Sequence, residues 1–265
     1  MNAKLQMVAT AKNVGTKLSN QISKVAIKNS KLRTLLYLRT IASLIKDPNN
    51  TLTVFELDDM ISDSATPDQK LAYIDYLKTD PAYQAMFEER FVADSYNLAT
   101  LAHYEAGTLG HAYYRHMTDN GFSPDFFPPV EVTDDTSFIK LRMRQTHDIW
   151  HVITGYNPTV TGEIALQAFY HGQGAGLLNS LLIGAGVLHV SLFDMPNIGR
   201  LLDAIAEGRQ RGLQAKKLAP IKWEAMWRRS LASVRSELNV ADGTIAQLDL
   251  PTELANSQEK ELVAA

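Results

Sequence analysis

Helix start and stop signals recur along the whole of this 265-residue chain and constrain its fold more than any other feature. Thr66-Pro67 and Asp80-Pro81 each set a capping side chain ahead of a proline at the first helical position, and Asp68 adds a first-turn acid. Asp47-Pro48 ends an apolar-rich helix over residues 31–46, and a short helix is expected from Phe55 to Ser62. Asn97 to Met117 reads as one longer helix, interrupted by Gly107 and Gly110. The stretch GFSPDFFPP, residues 121–129, is a proline-rich loop. Asp134 or Asp135 then caps a long helix running to about Thr154, with Gly155 as its C-terminal stop. Tyr156-Asn157-Pro158 turns the chain, and Thr159 or Thr161 starts the next helix. Two more run from Leu201 to about Leu218 and from Lys222 to Leu238, split by Pro220. No long alternating apolar/polar run occurs, and no Asn-Gly or Asp-Gly pair joins two such runs. The expectation is an all-α fold: a single multi-helix domain with an N-terminal basic amphipathic helix.

Charge divides this chain further. Residues 1–46 hold nine Lys or Arg and no acid. Within them Met7, Ala11, Val14, Leu18, Ile22 and Val25 recur at helical spacing. Residues 1–30 therefore read as a basic amphipathic arm, 31–240 as a helical body and 241–265 as an acidic, frayed tail. The arm fits a helix that docks on a membrane surface or partner, and equally a packed helix with a solvated lysine face. A mitochondrial presequence is the third option, although such segments favour arginine. With 45% hydrophobic residues the chain can bury one large core or two small ones. Its net charge of −3 gives no reason to expect nucleic acid, and a Sec-type leader is not expected from its first residues, which lack an apolar h-region. It contains no cysteine, so disulfides and thiolate metal sites are excluded and any metal must take N and O ligands.

The stretch HDIWHVITGYNPTVTGE, residues 147–163, carries two of the seven histidines. His147 and His151 are four apart on a predicted helix, so both rings leave one face and can share a cation. Asp148 points about 100° round the helix, as a neighbouring ligand or as an acceptor that orients a ligating imidazole. Glu163 follows past the Gly155 stop and the Pro158 turn, and an antiparallel return would bring it alongside the pair. Three or four ligands with open positions left over would mark a catalytic rather than a closed site. Spacing alone also allows core histidines hydrogen-bonded to carboxylates.

His147, Asp148, His151 and Glu163 together form H-D-x-x-H followed by eleven residues and E, and this resembles the signature of the ubiquinone (coenzyme Q) biosynthesis protein 4 family. Gly107-Thr108-Leu109-Gly110 with Tyr113 resembles that family's G-[ST]-L-G-x-x-Y segment. Gly208-Arg209 is similar to its late Gly-Arg pair. Trp223-Glu224, Trp227, Ser230-Leu231, Arg235, Glu237 and Leu238 are similar to its C-terminal helix. The likeness covers roughly residues 31–240; the basic arm and the acidic tail are not part of it. It implies a mainly helical, dimerising protein, peripherally bound to a membrane, that works with other quinone-biosynthesis proteins on a prenylated quinone precursor. It also implies metal-dependent oxidative removal of the ring carboxylate at C1, a lyase-type step, or a scaffold role in the biosynthetic complex. Zinc is the metal it suggests, with magnesium or iron as alternatives, held by His147, Asp148, His151 and Glu163. Asp148 and Glu163 would be the catalytic carboxylates. The expected location is the cytoplasmic face of a bacterial membrane, or alternatively the matrix side of the mitochondrial inner membrane.

An isoprenoid tail needs a long apolar slot. Residues 172–193, GQGAGLLNSLLIGAGVLHVSLF, contain no Asp, Glu, Lys or Arg over 22 residues. Gln173, Asn179, Ser180, His189 and Ser191, with the clustered glycines, argue against a membrane span and for a lipid-tunnel wall or a surface dipping into lipid, with Leu177 and Leu181 among the lipid contacts. An ordinary buried hairpin at a subunit contact is the plain alternative. Arg142 and Arg144 precede the histidine pair and could receive a substrate carboxylate or phosphate, or equally be solvated helix charge. His171 reads as a helix-end residue, His103, His111 and His116 carry no assigned role, and Trp223 and Trp227 read as packing. A non-catalytic scaffold or prenyl-lipid carrier competes with the enzyme reading. A metallopeptidase is disfavoured, because Asp148 is one methylene shorter than the glutamate of H-E-x-x-H and no edge strand is apparent.

Overall fold

The computed structural model describes residues 30–174 and 176–240. The basic arm and the acidic tail lie outside the described residues. The chain is all-α as expected: α1 Ser30–Lys46, α2 Thr51–Ser64, α3 Pro67–Lys78, α4 Pro81–Glu89, α5 Leu98–Leu101, α6 Leu109–Asp119, α7 Asp135–Thr154, α8 Val160–Gly172, α9 Leu177–Phe193, α10 Ile198–Gln214 and α11 Leu231–Leu238, with 3₁₀ turns at Met195–Asn197 and Trp223–Ala225. Two compact units divide between Thr66 and Pro67.

In the first unit α1 and α2 form a helical hairpin. Asn50 caps α2 by accepting from the Thr53 amide. The Tyr37 and Ser64 hydroxyls meet at 2.8 Å, and Thr40 Oγ1 lies 3.7 Å from Met60 Sδ, which fixes the two helices antiparallel. Helix α2 begins at Thr51, one turn before the expected Phe55.

The second unit is organised around α7, against which α3, α6 and α8 pack. Its N-terminus carries a reciprocal cap: the Ser137 amide donates to Asp134 Oδ1 at 2.7 Å, and the Asp134 amide donates to Ser137 Oγ at 2.9 Å. Its C-terminus stops at Gly155, whose φ of +77° is the left-handed conformation that costs other residues most. The last-turn carbonyls are satisfied by arginines from distant helices. Arg211 donates to Thr154 O at 2.7 Å, and Arg235 donates to Ile153 O and Val152 O, both at 2.9 Å. Between these ends Trp150 is fully buried and stacks on Tyr170 of α8, ring centroids 4.1 Å apart.

Helices α8 and α10 approach more closely than side chains would permit. A Cβ on Gly208 would stand 2.2 Å from the Ala165 carbonyl oxygen, and one on Gly212 would stand 2.2 Å from that of Phe169. These glycines let the α10 backbone lie on α8, whose buried face includes Ala165, Ala168 and Phe169. Helix α9 packs on both. It buries Ala185, Gly186 and Val190 and leaves Leu177, Leu188, Leu192 and Phe193 exposed. The uncharged run is thus a turn followed by one helix. Gln173 in the turn is fully buried, donates to Gly212 O at 2.7 Å and accepts from the Leu218 amide at 2.9 Å. Among the described residues no helix is long and apolar enough to cross a membrane.

Two expected helices are broken. Residues 97–117 form α5 and α6 with a turn between them, and residues 222–238 form a 3₁₀ turn and the shorter α11. One interaction breaks both. The Leu109 and Gly110 amides donate to the Arg229 and Trp227 carbonyls at 2.9 and 2.8 Å, and the Leu231 amide donates to Gly107 O at 2.9 Å. The two segments satisfy each other's backbone, which a continuous helix in either would prevent. Trp227 packs its ring against Tyr96 and Tyr113, and Trp223 is fully buried, so both serve packing as expected. Helix α10 runs from Ile198 to Gln214, one turn earlier than expected.

A candidate metal centre on helices 7 and 8

His147 and His151 leave the same face of α7, and the turn at residues 155–159 sends the chain back so that Glu163, in the first turn of α8, meets them. The three side chains offer donor atoms that all lie within 4.8 Å of one another. His151 is buried, with a side chain 1% exposed, while His147 and Glu163 are 21% and 36% exposed and open the cluster on one side.

Their chemistry can be read from what surrounds His151. Its Nδ1 lies 2.8 Å from the Tyr156 carbonyl oxygen, which can only accept, so the ring proton sits on Nδ1 and Nε2 presents its lone pair. That Nε2 lies 3.3 Å from His147 Nε2 and 3.0 Å from Glu163 Oε1. Glu163 Oε2 is 3.8 Å from His147 Nε2. His147 Nδ1 stands 3.3 Å from the Tyr170 hydroxyl, and with Nδ1–H donating there its Nε2 is also free as an acceptor. With both Nδ1 atoms protonated, two Nε2 lone pairs and the carboxylate face one another, an arrangement that favours positive charge among them, either an added proton or a cation. Two donors each 2.0–2.1 Å from one tetrahedral cation stand about 3.3 Å apart, so the observed spacings fit a shared divalent ion. The ligand types, two imidazoles and a carboxylate, suit zinc or iron better than magnesium.

Electrostatics point the same way. Burial opposes charge on His151, but the charge and hydrogen bond of Glu163, helped by the Tyr156 carbonyl, lift its pKa above the ordinary histidine value. Burial also opposes ionisation of Glu163, yet His151 overcomes it and holds the carboxyl at about 2. Burial pushes His147 down, against the pull of Glu163. The cluster is a carboxylate held ionised beside one imidazole that favours positive charge and one that resists it.

Other expected site residues are placed differently. Asp148 does not join the three donors; its Oδ1 lies 3.9 Å from Nε2 of His116 on α6. Burial raises its carboxyl, but the His116 interaction and the nearby histidines outweigh this and the net shift is downward. Arg142 is 1% exposed and donates to Ile221 O at 2.8 Å, so its guanidinium ties α7 to the segment before Trp223. Arg144 donates to Pro128 O at 3.0 Å and anchors the proline-rich loop. Leu177 and Leu181 lie on α9, with Leu177 exposed. His171 sits in the last turn of α8, as expected.

Several residues around the centre had no sequence signal. The His116 ring stacks on His151, centroids 5.4 Å apart and 20° between planes. The loop over residues 121–129 roofs the site, with Phe122 edge-on to His116 at 5.8 Å and Phe127 edge-on to His147 at 5.8 Å. Tyr170 lies parallel to His147, and burial pushes its hydroxyl well above the ordinary range, so it stays protonated. His116, Phe122 and Phe127 lie 20 or more residues before His147, and Tyr170 lies seven beyond Glu163, and nothing local announces them.

Residues 24–243 match the family model described as coenzyme Q (ubiquinone) biosynthesis protein Coq4. The chain is 29% identical over 177 residues to the mitochondrial ubiquinone biosynthesis protein COQ4 of Podospora anserina, covering 65% of this chain and 54% of that protein. It is 27% identical over 191 residues to the mitochondrial COQ4 homologue of Danio rerio, covering 70% of this chain and 68% of that protein. The chain thus spans about half to two thirds of these relatives. A crystal structure from Nostoc punctiforme, of a protein provisionally assigned to ubiquinone biosynthesis, superposes with a TM-score of 0.70 at 33% identity over 81% of this chain and 99% of that one. The match spans α7, α8 and most of the body on either side, and the chain belongs to the Coq4 family of coenzyme Q (ubiquinone) biosynthesis proteins.

Proposed function

We propose that this chain acts in prenylated quinone biosynthesis at the oxidative removal of the C1 carboxylate from a prenylated hydroxybenzoate-type ring, using a divalent metal held by His147, His151 and Glu163. The observation that carries this reading is the orientation of His151: its Nδ1 is committed to the Tyr156 carbonyl, so Nε2 faces the other two donors as a lone pair. A cation bound there supplies Lewis acidity toward a carboxylate or phenolate oxygen of the ring. Around it, the Tyr156 carbonyl fixes the tautomer of His151, the Tyr170 hydroxyl stands 3.3 Å from His147 Nδ1, and the Phe127 ring covers His147 edge-on. In the net change the ring acid, water and dioxygen give the hydroxylated ring, CO₂ and hydrogen peroxide: the carbon–carboxyl bond breaks, a carbon–hydroxyl bond forms, and the two electrons released reduce dioxygen. Zinc is the first candidate and iron the second.

The exposed leucines and Phe193 of α9 support contact with the isoprenoid tail or with a membrane surface, and through it a peripheral location; the relatives are named as mitochondrial proteins, which favours the matrix side of the mitochondrial inner membrane. The same surface favours a second reading, in which the chain carries the prenylated intermediate to other enzymes and its metal only grips the head group. Homodimerisation and docking with other quinone-biosynthesis proteins belong to both readings.

Metal analysis of the purified full chain tests the centre. We expect about one divalent ion per chain, lost when His147→Ala and His151→Ala are combined, because both directed imidazole bonds go. Unchanged metal content in that variant overturns the assignment. Turnover of a prenylated hydroxybenzoate under oxygen by Glu163→Gln then separates enzyme from carrier. Loss of product with intact folding supports the enzyme, and unchanged conversion in the cell supports the carrier.

A further inference from the structure

Tyr156, whose carbonyl meets His151, is held by its side chain as well as by the Gly155 turn. Its ring is buried, and the Arg211 guanidinium lies over it with Cζ 4.7 Å from the centroid. Its hydroxyl donates to Glu207 Oε1 at 3.4 Å, and Arg211 Nη1 lies 3.5 Å from that same oxygen. The other arm of Arg211 donates from Nη2 to Thr154 O at 2.7 Å, two residues before Tyr156. One guanidinium therefore grips both sides of the turn through Gly155. Glu207 and Arg211 stand one turn apart on α10, and Gly208 and Gly212 seat that helix against the backbone of α8. Helix α8 carries Glu163, so α10 ties the Tyr156 turn to the helix whose carboxylate faces His151. For stability alone, an apolar pair of similar size would hold α10 about as well as this charged one. An apolar pair would not hold the Tyr156 hydroxyl or the Thr154 carbonyl.

We propose that Arg211 and Glu207 are positioning residues that keep the Tyr156 carbonyl on His151 Nδ1, and so keep the Nε2 lone pair of His151 directed at His147 and Glu163. They act on His151 through Tyr156, since the hydrogen bond made by one ring nitrogen sets what the other presents. The consequence for metal affinity rests on the metal reading above. The consequence for the His151 tautomer does not.

Nitrogen-15 NMR of the histidine-labelled, metal-free full chain reads the tautomer at alkaline pH, where the ring is neutral. The His151 signals are those lost in His151→Gln. The wild type is expected to show a single tautomer, protonated on Nδ1. Arg211→Met keeps apolar bulk over Tyr156 but loses both hydrogen-bonding arms, and is expected to give a mixture containing the Nε2–H form. Its zinc affinity, measured by competition titration, is expected to fall roughly tenfold, as when a group that orients a ligand is lost. Arg235→Met is the control. Arg235 caps the same last turn of α7 through Ile153 O and Val152 O, so its loss loosens the helix end while leaving the Tyr156 clamp in place. That variant is expected to lose stability and to keep the wild-type tautomer and zinc affinity. A wild type that is already mixed, a single Nδ1–H form in Arg211→Met, or the same mixture in Arg235→Met overturns the proposal. So does a mixture in Arg211→Met with unchanged zinc affinity. If Arg211→Met does not fold, Glu207→Leu replaces it under the same criteria, and Glu207→Gln, whose amide oxygen still accepts from Tyr156, must then behave as wild type. Absence of zinc binding by the wild type overturns the metal centre, and the tautomer comparison then decides this proposal by itself.

Discussion

The Nδ1 of His151 lies 2.8 Å from the carbonyl oxygen of Tyr156, five residues downstream and just past the end of α7. The contact exists because Gly155 takes a left-handed φ of +77° and swings the Tyr156 peptide back beneath the helix. Gly155→Ala is expected to cost about 1–2 kcal/mol from the left-handed backbone alone. It should also weaken metal binding roughly 10–100-fold, the range found when a group orienting a ligand is displaced. Urea unfolding of the metal-free protein and a zinc competition titration measure the two effects separately. A stability loss with unchanged affinity would mean that the turn does not orient His151.

How much of the centre could be seen beforehand follows from distance along the chain. His147, His151 and Glu163 were legible because their convergence needs one helical turn and one tight reversal, and Gly155 and Pro158 advertise the reversal. Asp148 was legible as a site residue but its partner was not, since His116 arrives on a helix that the sequence treats as part of one long segment. The aromatic roof is a loop whose prolines signal irregularity but not where it lies. The same division holds for the fold. The ends of α7 were legible because Asp134 and Gly155 act locally, whereas the breaks near residues 107 and 229 come from backbone pairing between segments some 120 residues apart, satisfied only once the chain is folded.

Asp134 offers a pH-dependent test of the α7 cap. Its hydrogen bonds from the Ser137 amide and hydroxyl hold its carboxyl below the ordinary value of 3.8. A depressed carboxylate pKa means that the folded protein takes up this proton less readily than the unfolded chain. The stability it adds is therefore complete above about pH 3.8 and is lost as the pH falls through the lower folded value. Asp134→Ala is expected to cost about 1 kcal/mol at neutral pH, with the gap to wild type closing below pH 3.8. Asp134→Asn, which keeps an acceptor without a titrating group, should lose much less and show no such closure. Thermal unfolding from pH 3 to pH 7 reads the difference, and a gap that stays constant with pH would contradict the role assigned to the charge.

Close contact between α8 and α10 makes Gly208 the more informative of the two glycines on α10. An added Cβ would overlap the Ala165 carbonyl oxygen, a backbone atom that cannot rotate away. Gly208→Ala is expected to destabilise by about 1–3 kcal/mol through overpacking, despite the higher helix propensity of alanine, worth close to 1 kcal/mol in the opposite direction. Gly184→Ala on α9 has open space around the new methyl and should be neutral or mildly stabilising. Denaturant midpoints for the two variants should move in opposite directions, and equal shifts would show that the helix contact is looser than described.

Lipid contact is expected to run through the outer face of α9. Leu188, Leu192 and Phe193 are 47%, 66% and 58% exposed on a helix with no charged residue, and Met195 beyond it is 59% exposed. Replacing Leu192 and Phe193 by glutamate places two charges on that face without touching the buried Ala185, Gly186 and Val190, so folding and the metal centre should be unaffected. Flotation with neutral liposomes is expected to drop several-fold for this variant. Removal of residues 1–30, which carry five lysines, should leave neutral-liposome binding intact and weaken only binding to anionic vesicles, in a manner suppressed by salt. Apolar attachment through α9 is nearly indifferent to salt because no ion pair is made. If the glutamate variant floats as well as wild type at both salt concentrations, α9 is not the lipid contact. If neither protein binds neutral liposomes, the exposed face is left to a protein partner, and the carrier reading loses its main support.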